Sequence, residues 1–315
     1  MSLADGTVPT GILLIDKPEG MTSHDVVSRI RKKLGLKKVG HAGTLDPMAT
    51  GMLVAGVGSS TRLLTFLVGA DKEYVATIRL GSTTVTDDRE GETLKTAPEE
   101  AIRAITPERL SLGIRDLTGD IKQRPSAVSA IKVAGKRAYD RVRSGESVDL
   151  PARPVTVSEF VIVDVPRPVY TDKTLTALDC DVRVVCSSGT YIRALARDLG
   201  DALGVGGHLT ALRRTRVGPF DIKDAVDLDA DNLADQLRGA ASVASHLFPT
   251  LSLSAEQTLA LEQGKRVRVG QTEGAGHAWH APIVAALAPD GRLVGLVSVT
   301  RGETRVIVNF PVVHA

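Results

Sequence analysis

The stretch His41–Leu53, HAGTLDPMATGML, constrains this chain more than any other. Its thirteen residues hold two glycines, one proline and a single carboxylate, Asp46. Glycine and proline at this density rule out a regular helix or strand. Pro47 drives Asp46 out of the helical region, so the carboxylate is expected on an extended, fixed loop. A lone carboxylate held that way between ordered elements suits a nucleophile or an acid/base group. Asp-Pro also closes turns and caps helices, so the pair alone leaves both readings open.

The flanking pattern places this loop between ordered elements. Gly11–Ile15 reads as a short buried strand. Thr22 or Ser23 then caps a helix whose apolar face is Val26, Val27, Ile30 and Leu34, ended by Gly35. Thr61–Leu67 reads as a short helix. Glu73–Leu80 alternates as a half-buried strand, and Thr83–Glu92 reads as a solvated polar loop. Pro98–Ile105 and Pro107–Leu112 are helical stretches. Ala127–Val133 is expected to be a strand and Arg137–Arg143 a basic helix. Val155–Val163 and Leu178–Cys186 are further strands. Tyr191–Leu203 is a helix with Ile192, Leu195, Ala196, Leu199 and Leu203 on its buried face, leaving Arg193 and Arg197 off it. Asp224–Leu247 has a helical, acidic pattern. Ser254–Glu262 is a helix, and Pro282–Leu287, Leu293–Val299 and Thr304–Phe310 are strands joined by Asp290-Gly291 and Arg301-Gly302 turns. The pattern is α+β, with a sheet-rich domain over 1–247 and a small β-rich module over 248–315.

Charge narrows the class of partner. The net charge is only +2 over 315 residues, but it is segregated. Arg29, Arg31, Lys32, Lys33, Lys37 and Lys38 precede the Asp46 stretch. Lys122, Arg124, Lys132, Lys136, Arg137, Arg141 and Arg143 form a second group, and Arg213, Arg214 and Arg216 a third. Acid gathers at Asp87-Asp88-Arg89-Glu90 and from Asp224 to Asp235. Such segregation can build a phosphate-binding face, although each group alone also suits a solvated surface. Cys180 and Cys186 lie on one expected strand, about 20 Å apart, too far for a mutual disulfide. That and the absence of a signal-like N-terminus point to a reducing cytoplasm. No apolar run reaches the ~18 residues of a membrane span, and no cysteine-histidine cluster suggests zinc.

Several strings together resemble the TruB-type tRNA pseudouridine synthases. LLIDKPEGMTSHDVV (Leu13–Val27) looks like the family's opening motif and GHAGTLDPMATGML (Gly40–Leu53) like its catalytic loop. KEYVATIRLG (Lys72–Gly81) is similar to its tyrosine strand. SAIKVAGKRAYD (Ser129–Asp140), CSSGTYIRALARDLG (Cys186–Gly200) and LTALRRTRVGPF (Leu209–Phe220) match later blocks. One departure is Val128, where many members carry Tyr.

The resemblance implies a mixed and antiparallel-sheet catalytic domain with flanking helices, followed by a PUA-like RNA-binding domain. It implies isomerisation of uridine 55 in the tRNA T loop, with no cofactor, no metal and no protein partner. Asp46 would be the nucleophile, Arg193 its cationic partner and Tyr74 a stacking group on the flipped base. His41 and Tyr191 would contact the RNA, and Leu212 would line the uracil pocket. Lys17, Arg31, Lys32, Lys33, Lys37 and Lys38 would meet phosphates, with Arg62, Arg213 and Arg214 as further candidates. A monomer is the expected state. The rival readings are a non-catalytic tRNA-binding or tRNA-folding protein of the same fold, and a metal-dependent nuclease using the acidic loop.

Overall fold

A computed structural model describes residues 9–126, 150–269 and 282–310, together with the backbone of the paired segments 132–133 and 136–137. The chain divides into two compact units. One holds residues 1–47, 51–68 and 218–315, and the other holds 48–50 and 69–217. The expected strand 127–133 and helix 137–143 fall mostly outside the described residues, as does Val128.

In the first unit, strand Gly11–Lys17 runs antiparallel to Thr50–Val57, in register from Gly11 opposite Val57 to Lys17 opposite Gly51. Val39–Ala42 pairs with the same partner, and Val226–Asp227 adds a parallel strand beside Gly11–Lys17. Helix Ser23–Leu34 closes over this sheet. Its start is fixed by a reciprocal box between Thr22 and Asp25, and its end by Gly35 at φ 65°, a left-handed turn that glycine takes without strain. The Thr22 hydroxyl and backbone N–H hold the Asp25 carboxyl below the ordinary range. Val26, Val27 and Ile30 meet Leu13, Ile15, Leu53 and Val57 in one core.

The C-terminal segment of this unit forms a four-stranded sheet. Thr250–Ser252 is parallel to Val284–Leu287, and Leu293–Thr300 and Glu303–Asn309 follow antiparallel. Helix Ala255–Glu262, capped by Ser254 and Gln257, lies against its core of Leu251, Leu261, Val284, Val294 and Val297.

The second unit is an antiparallel sheet in the order Gly207–Val217, Lys72–Leu80, Thr174–Cys186, Arg153–Ile162, Gly119–Gln123, with Arg167–Thr171 returning beside Thr174–Cys186. One face is apolar. Tyr74, Ala76, Ile78 and Leu80 are buried there, and so are Cys180, Val182, Val184 and Cys186. The alternate positions form a ladder of ion pairs, including Arg79–Asp179 at 2.8 Å, Arg183–Glu159 and Arg167–Asp181. Alternation of this kind marks an antiparallel sheet with one face open to water. Helix Ile192–Leu203 packs so tightly that a Cβ on Gly200 would sit 2.1 Å from the backbone of Gly206 and Gly207. Both cysteines are free and buried on one strand, and burial pushes the Cys180 thiol up to about 12 and the Cys186 thiol up to about 11.

Three expectations need correction. Beyond the short 3-10 turn Ile222–Asp224, residues 225–239 are not helical, and only Ala240–Leu247 is an α-helix. Asp side chains there bond their own backbone, as when Asp227 accepts from the Asp229 N–H at 2.6 Å, and this competes with helix formation. Gly207–Val217 is a strand that the reading of the sequence left unassigned. Two register shifts, at Leu209/Ala211 and Arg214/Arg216, break its alternation. Thr83–Glu92 is not simply solvated, because Thr84 and Asp88 are 5% and 2% exposed.

Candidate active site

The Asp46 loop is clamped on both sides of the carboxylate. On one side, the Ser23 hydroxyl accepts from the Leu45 N–H at 2.8 Å and donates to the Leu45 carbonyl at 3.1 Å. On the other, the Pro47 carbonyl accepts from the Gly20 N–H at 2.9 Å and from Lys17 Nζ at 3.3 Å. Asp46 itself is half-buried between these two pinned neighbours. The strand Gly11–Lys17, the turn at Gly20 and the helix start at Ser23 thus hold this loop on both flanks.

Lys17 is the first correction among the site residues. It is fully buried, and its ammonium donates to the carbonyls of Pro18 at 2.9 Å, Met21 at 2.6 Å and Pro47 at 3.3 Å. A buried cation satisfied by carbonyls braces a turn; it is not placed at the surface to meet a phosphate.

Tyr74 and Arg193 belong to the second unit. Tyr74 is 8% exposed, on the apolar face, with Val184 opposite on one neighbouring strand and Arg214 opposite on the other. Leu212, opposite Ala76, shares that face and is 7% exposed. So does Lys72, a buried amine that donates to the Ala70 carbonyl at 2.5 Å. Burial, and then the Arg214 charge, push its ammonium down to about 8.

Arg193 lies in the first turn of helix Ile192–Leu203, where a cation opposes the helix dipole. The loop 83–92 explains it. One guanidinium nitrogen donates to the Thr86 carbonyl at 2.9 Å and pairs with Asp88 at 3.3 Å. Asp88 in turn accepts from the Thr86 hydroxyl at 2.5 Å and the Glu90 N–H at 3.0 Å. Arg193 is thus buried by the loop, contrary to its expected place off the buried face. The helix start is fixed by a reciprocal pair in which the Tyr191 N–H donates to Gln123 Oε1 at 2.7 Å and Gln123 Nε2 to the Tyr191 carbonyl at 3.0 Å. Reading the sequence missed Ser23, Asp88 and Gln123. The adjacent acids Asp87-Asp88 were visible, but nothing in their pattern showed that they face inward.

The basic groups separate by what engages them. Arg29 pairs with Asp229 at 2.6 Å, and Lys33 donates to the Ala230 carbonyl at 3.0 Å. Arg31 donates to the Val39 carbonyl at 2.8 Å. Lys32, Lys37 and Lys38 are exposed. His41 is half-buried on the short strand opposite Ala55. Arg62 donates to the Asn309 carbonyl of the C-terminal sheet, and Phe66 meets Phe248 edge to face at 5.4 Å. Arg214 is 1% exposed and so presents no open surface to phosphate, whereas Arg216 is half-buried and pairs with Asp71 at 2.8 Å. In the C-terminal sheet, a cleft of about 560 Å³ is lined by Arg266, Ser298, Thr300, Arg301, Glu303 and Arg305. The arginines are exposed, and Glu303 lies 3.8 Å from Arg266 and 3.4 Å from Arg268.

Comparison with known proteins agrees with this local architecture. Residues 31–192 match the TruB family pseudouridylate synthase N-terminal domain, and residues 193–250 the tRNA pseudouridylate synthase B C-terminal domain. A tRNA pseudouridine synthase B of Leifsonia xyli is 56% identical over 306 residues, covering 97% of this chain and 98% of its own. Those of an Arthrobacter species and Corynebacterium diphtheriae are 50% and 49% identical, covering 96% and 93% of this chain and the same shares of their own. A chain of an H/ACA RNP bound to a substrate RNA containing 2′-deoxyuridine has the same fold, with a TM-score of 0.67 at 23% identity over 96% of this chain and 86% of that one. A chain of a Cbf5-Nop10-Gar1 complex follows at 0.66 and 25% identity, over 96% and 84% of the two chains. With a family match over more than half its length and relatives aligned nearly end to end, the chain belongs to the TruB family of pseudouridylate synthases and is an isomerase.

Proposed function

We propose that this chain converts uridine 55 in the T loop of tRNA to pseudouridine, with Asp46 as the nucleophile. The observation that carries the reading is the 56% identity, across 97% of the chain, to a protein named tRNA pseudouridine synthase B. The loop geometry supports it, because Asp46 lies between residues pinned by Ser23 on one side and by Gly20 and Lys17 on the other.

The reaction breaks the N1–C1′ glycosidic bond, turns the uracil and joins C5 to C1′. The C5 proton is lost and one returns at N1, so atoms balance without an oxidant or an external group. A buried target base must leave its stack to react. Asp46 attacks as the carboxylate, at the sugar C1′ or at the base C6, and that bond breaks again to return the free carboxylate once C5 is joined to C1′; a guanidinium favours the ionised form. Arg193, held by Asp88 and Thr86, supplies it. Tyr74 stacks on the base, and its hydroxyl helps to remove the C5 proton. Leu212 lines the apolar side of the base pocket.

Binding is chiefly to RNA shape and phosphate. Lys32, Lys37 and Lys38 form one phosphate-binding group, and His41 and Tyr191 contact the opened loop. Residues 1–247 act as the catalytic domain. Residues 248–315 act as an RNA-binding module through the arginine cleft at Arg266, Arg301 and Arg305. The protein works as a monomer in the cytoplasm. Pseudouridine mapping of a T-arm transcript after incubation with the full-length chain tests the reading; modification absent at position 55 would overturn it.

A further inference from the structure

Asp87 and Asp88 are adjacent, and adjacent residues of an extended chain point in opposite directions. Both carboxylates nevertheless reach one helix. Asp88 takes Arg193 at 3.3 Å and Asp87 takes Arg197 at 3.2 Å. The backbone permits this at Asp87, whose φ of 58° lies in the left-handed region. Few residues other than glycine adopt it, and Asp is among those that tolerate it. Arg193 and Arg197 are four residues apart and so lie one above the other on successive turns. Two successive acids thus clasp two successive turns.

The second clasp lies behind the first and ties three elements together. Arg197 Nη2 donates to the Arg124 carbonyl at 2.7 Å, at the end of the strand Gly119–Gln123, and to Asp198 at 2.8 Å on its own helix. The Asp87 carbonyl accepts from the Leu209 N–H at 3.0 Å, which seats the loop on the sheet. Burial raises the Asp87 carboxyl above its ordinary range despite the facing charges of Arg197 and Arg193. Burial also raises Asp198, which faces Arg197, Asp201 and Asp87. For a carboxyl raised on folding, the stabilising contribution is full below the unfolded value near ~3.9 and is lost as pH rises through the folded value.

We propose that Arg197 and Asp87 are positioning residues for the isomerisation. Their clasp fixes the Thr86–Asp88 turn, and that turn holds the Arg193 guanidinium in its working orientation. The inference rests on the function proposed above.

The test uses full-length Arg197→Gln and Asp87→Asn proteins. Single-turnover pseudouridine formation on a T-arm stem-loop transcript, transcript affinity and the thermal midpoint are measured for each. Displacing a group that touches no substrate is expected to slow the reaction roughly tenfold to a hundredfold, with affinity unchanged; because removing one partner of a buried pair also lowers stability, rates are read well below each variant's thermal midpoint. Arg197→Lys restores part of the rate. On an Asp88→Asn background, Arg197→Gln causes no further loss, because its effect runs through Asp88. An unchanged rate, a full additional loss on that background, or no recovery in Arg197→Lys would overturn the proposal. A wild-type protein that makes no pseudouridine would overturn the functional reading and this inference together; an active wild type with an unaffected Arg197→Gln variant would overturn the inference alone.

Discussion

Asp88 and Arg193 form an ion pair at 3.3 Å in which the side chains are only 3% and 6% exposed. Removing one partner of such a pair leaves an uncompensated buried charge. Asp88→Ala is therefore expected to destabilise the fold by about 3–5 kcal/mol. It should also slow pseudouridine formation by more than the Arg197 variants do. Urea unfolding and single-turnover assays read the two effects. A variant of normal stability and rate would mean that the pair does not hold Arg193.

Lys17 supplies a second prediction, one that separates bracing from binding. Its ammonium meets three carbonyls and no open surface. Lys17→Met is expected to loosen the Asp46 loop and slow the reaction roughly tenfold to a hundredfold, while tRNA affinity and its salt dependence stay as in the wild type. A weakened, flatter salt dependence would return Lys17 to the role of a phosphate contact.

Among the basic residues near the loop, Lys32, Lys37 and Lys38 are exposed, whereas Lys33 is engaged by the Ala230 carbonyl. Replacing the three exposed lysines by Ala should weaken tRNA binding and reduce the slope of log affinity against log salt by about 2. Replacing Arg266, Arg301 and Arg305 should do the same if the C-terminal cleft carries phosphate. Titrations of full-length tRNA at several salt concentrations measure both, and an unchanged slope counts against the group replaced.

Lys72 makes a prediction about pH. Its ammonium titrates near 8 in the fold, against 10.5 ordinarily. Between those values the unfolded chain binds more protons, so stability gains from this group as pH rises from about 8 toward 10.5. Below 8 the buried charge is a constant cost. Lys72→Met should be relatively more stable at pH 7, and its advantage should shrink as pH increases. Denaturant midpoints for the two proteins across that range decide it; an advantage that does not change with pH would contradict the assignment.

Much of the fold was legible in local signals. Thr22, Asp25 and Gly35 mark both ends of the first helix, and the alternation of Tyr74, Ala76, Ile78 and Leu80 gives the tyrosine strand its buried face. What stayed hidden depends on pairs distant in sequence. Lys17 looked like a surface cation because nothing local shows that the Met21 and Pro47 carbonyls surround it. Thr83–Glu92 looked solvated because its acids meet arginines more than a hundred residues away. The strand Gly207–Val217 was obscured by two bulges that shift its period. The apparent helix over 225–239 lost to the Asp side chains' preference for turns.

The central claim is that Asp46 is the nucleophile of a tRNA pseudouridine synthase. The most direct measurement is quantitative pseudouridine mapping at position 55 of a T-arm stem-loop transcript, comparing wild type with Asp46→Asn at matched binding saturation. Near-complete conversion is expected from the wild type and none from Asp46→Asn, with transcript affinity retained. Pseudouridine formed by Asp46→Asn at a rate close to the wild type would contradict it.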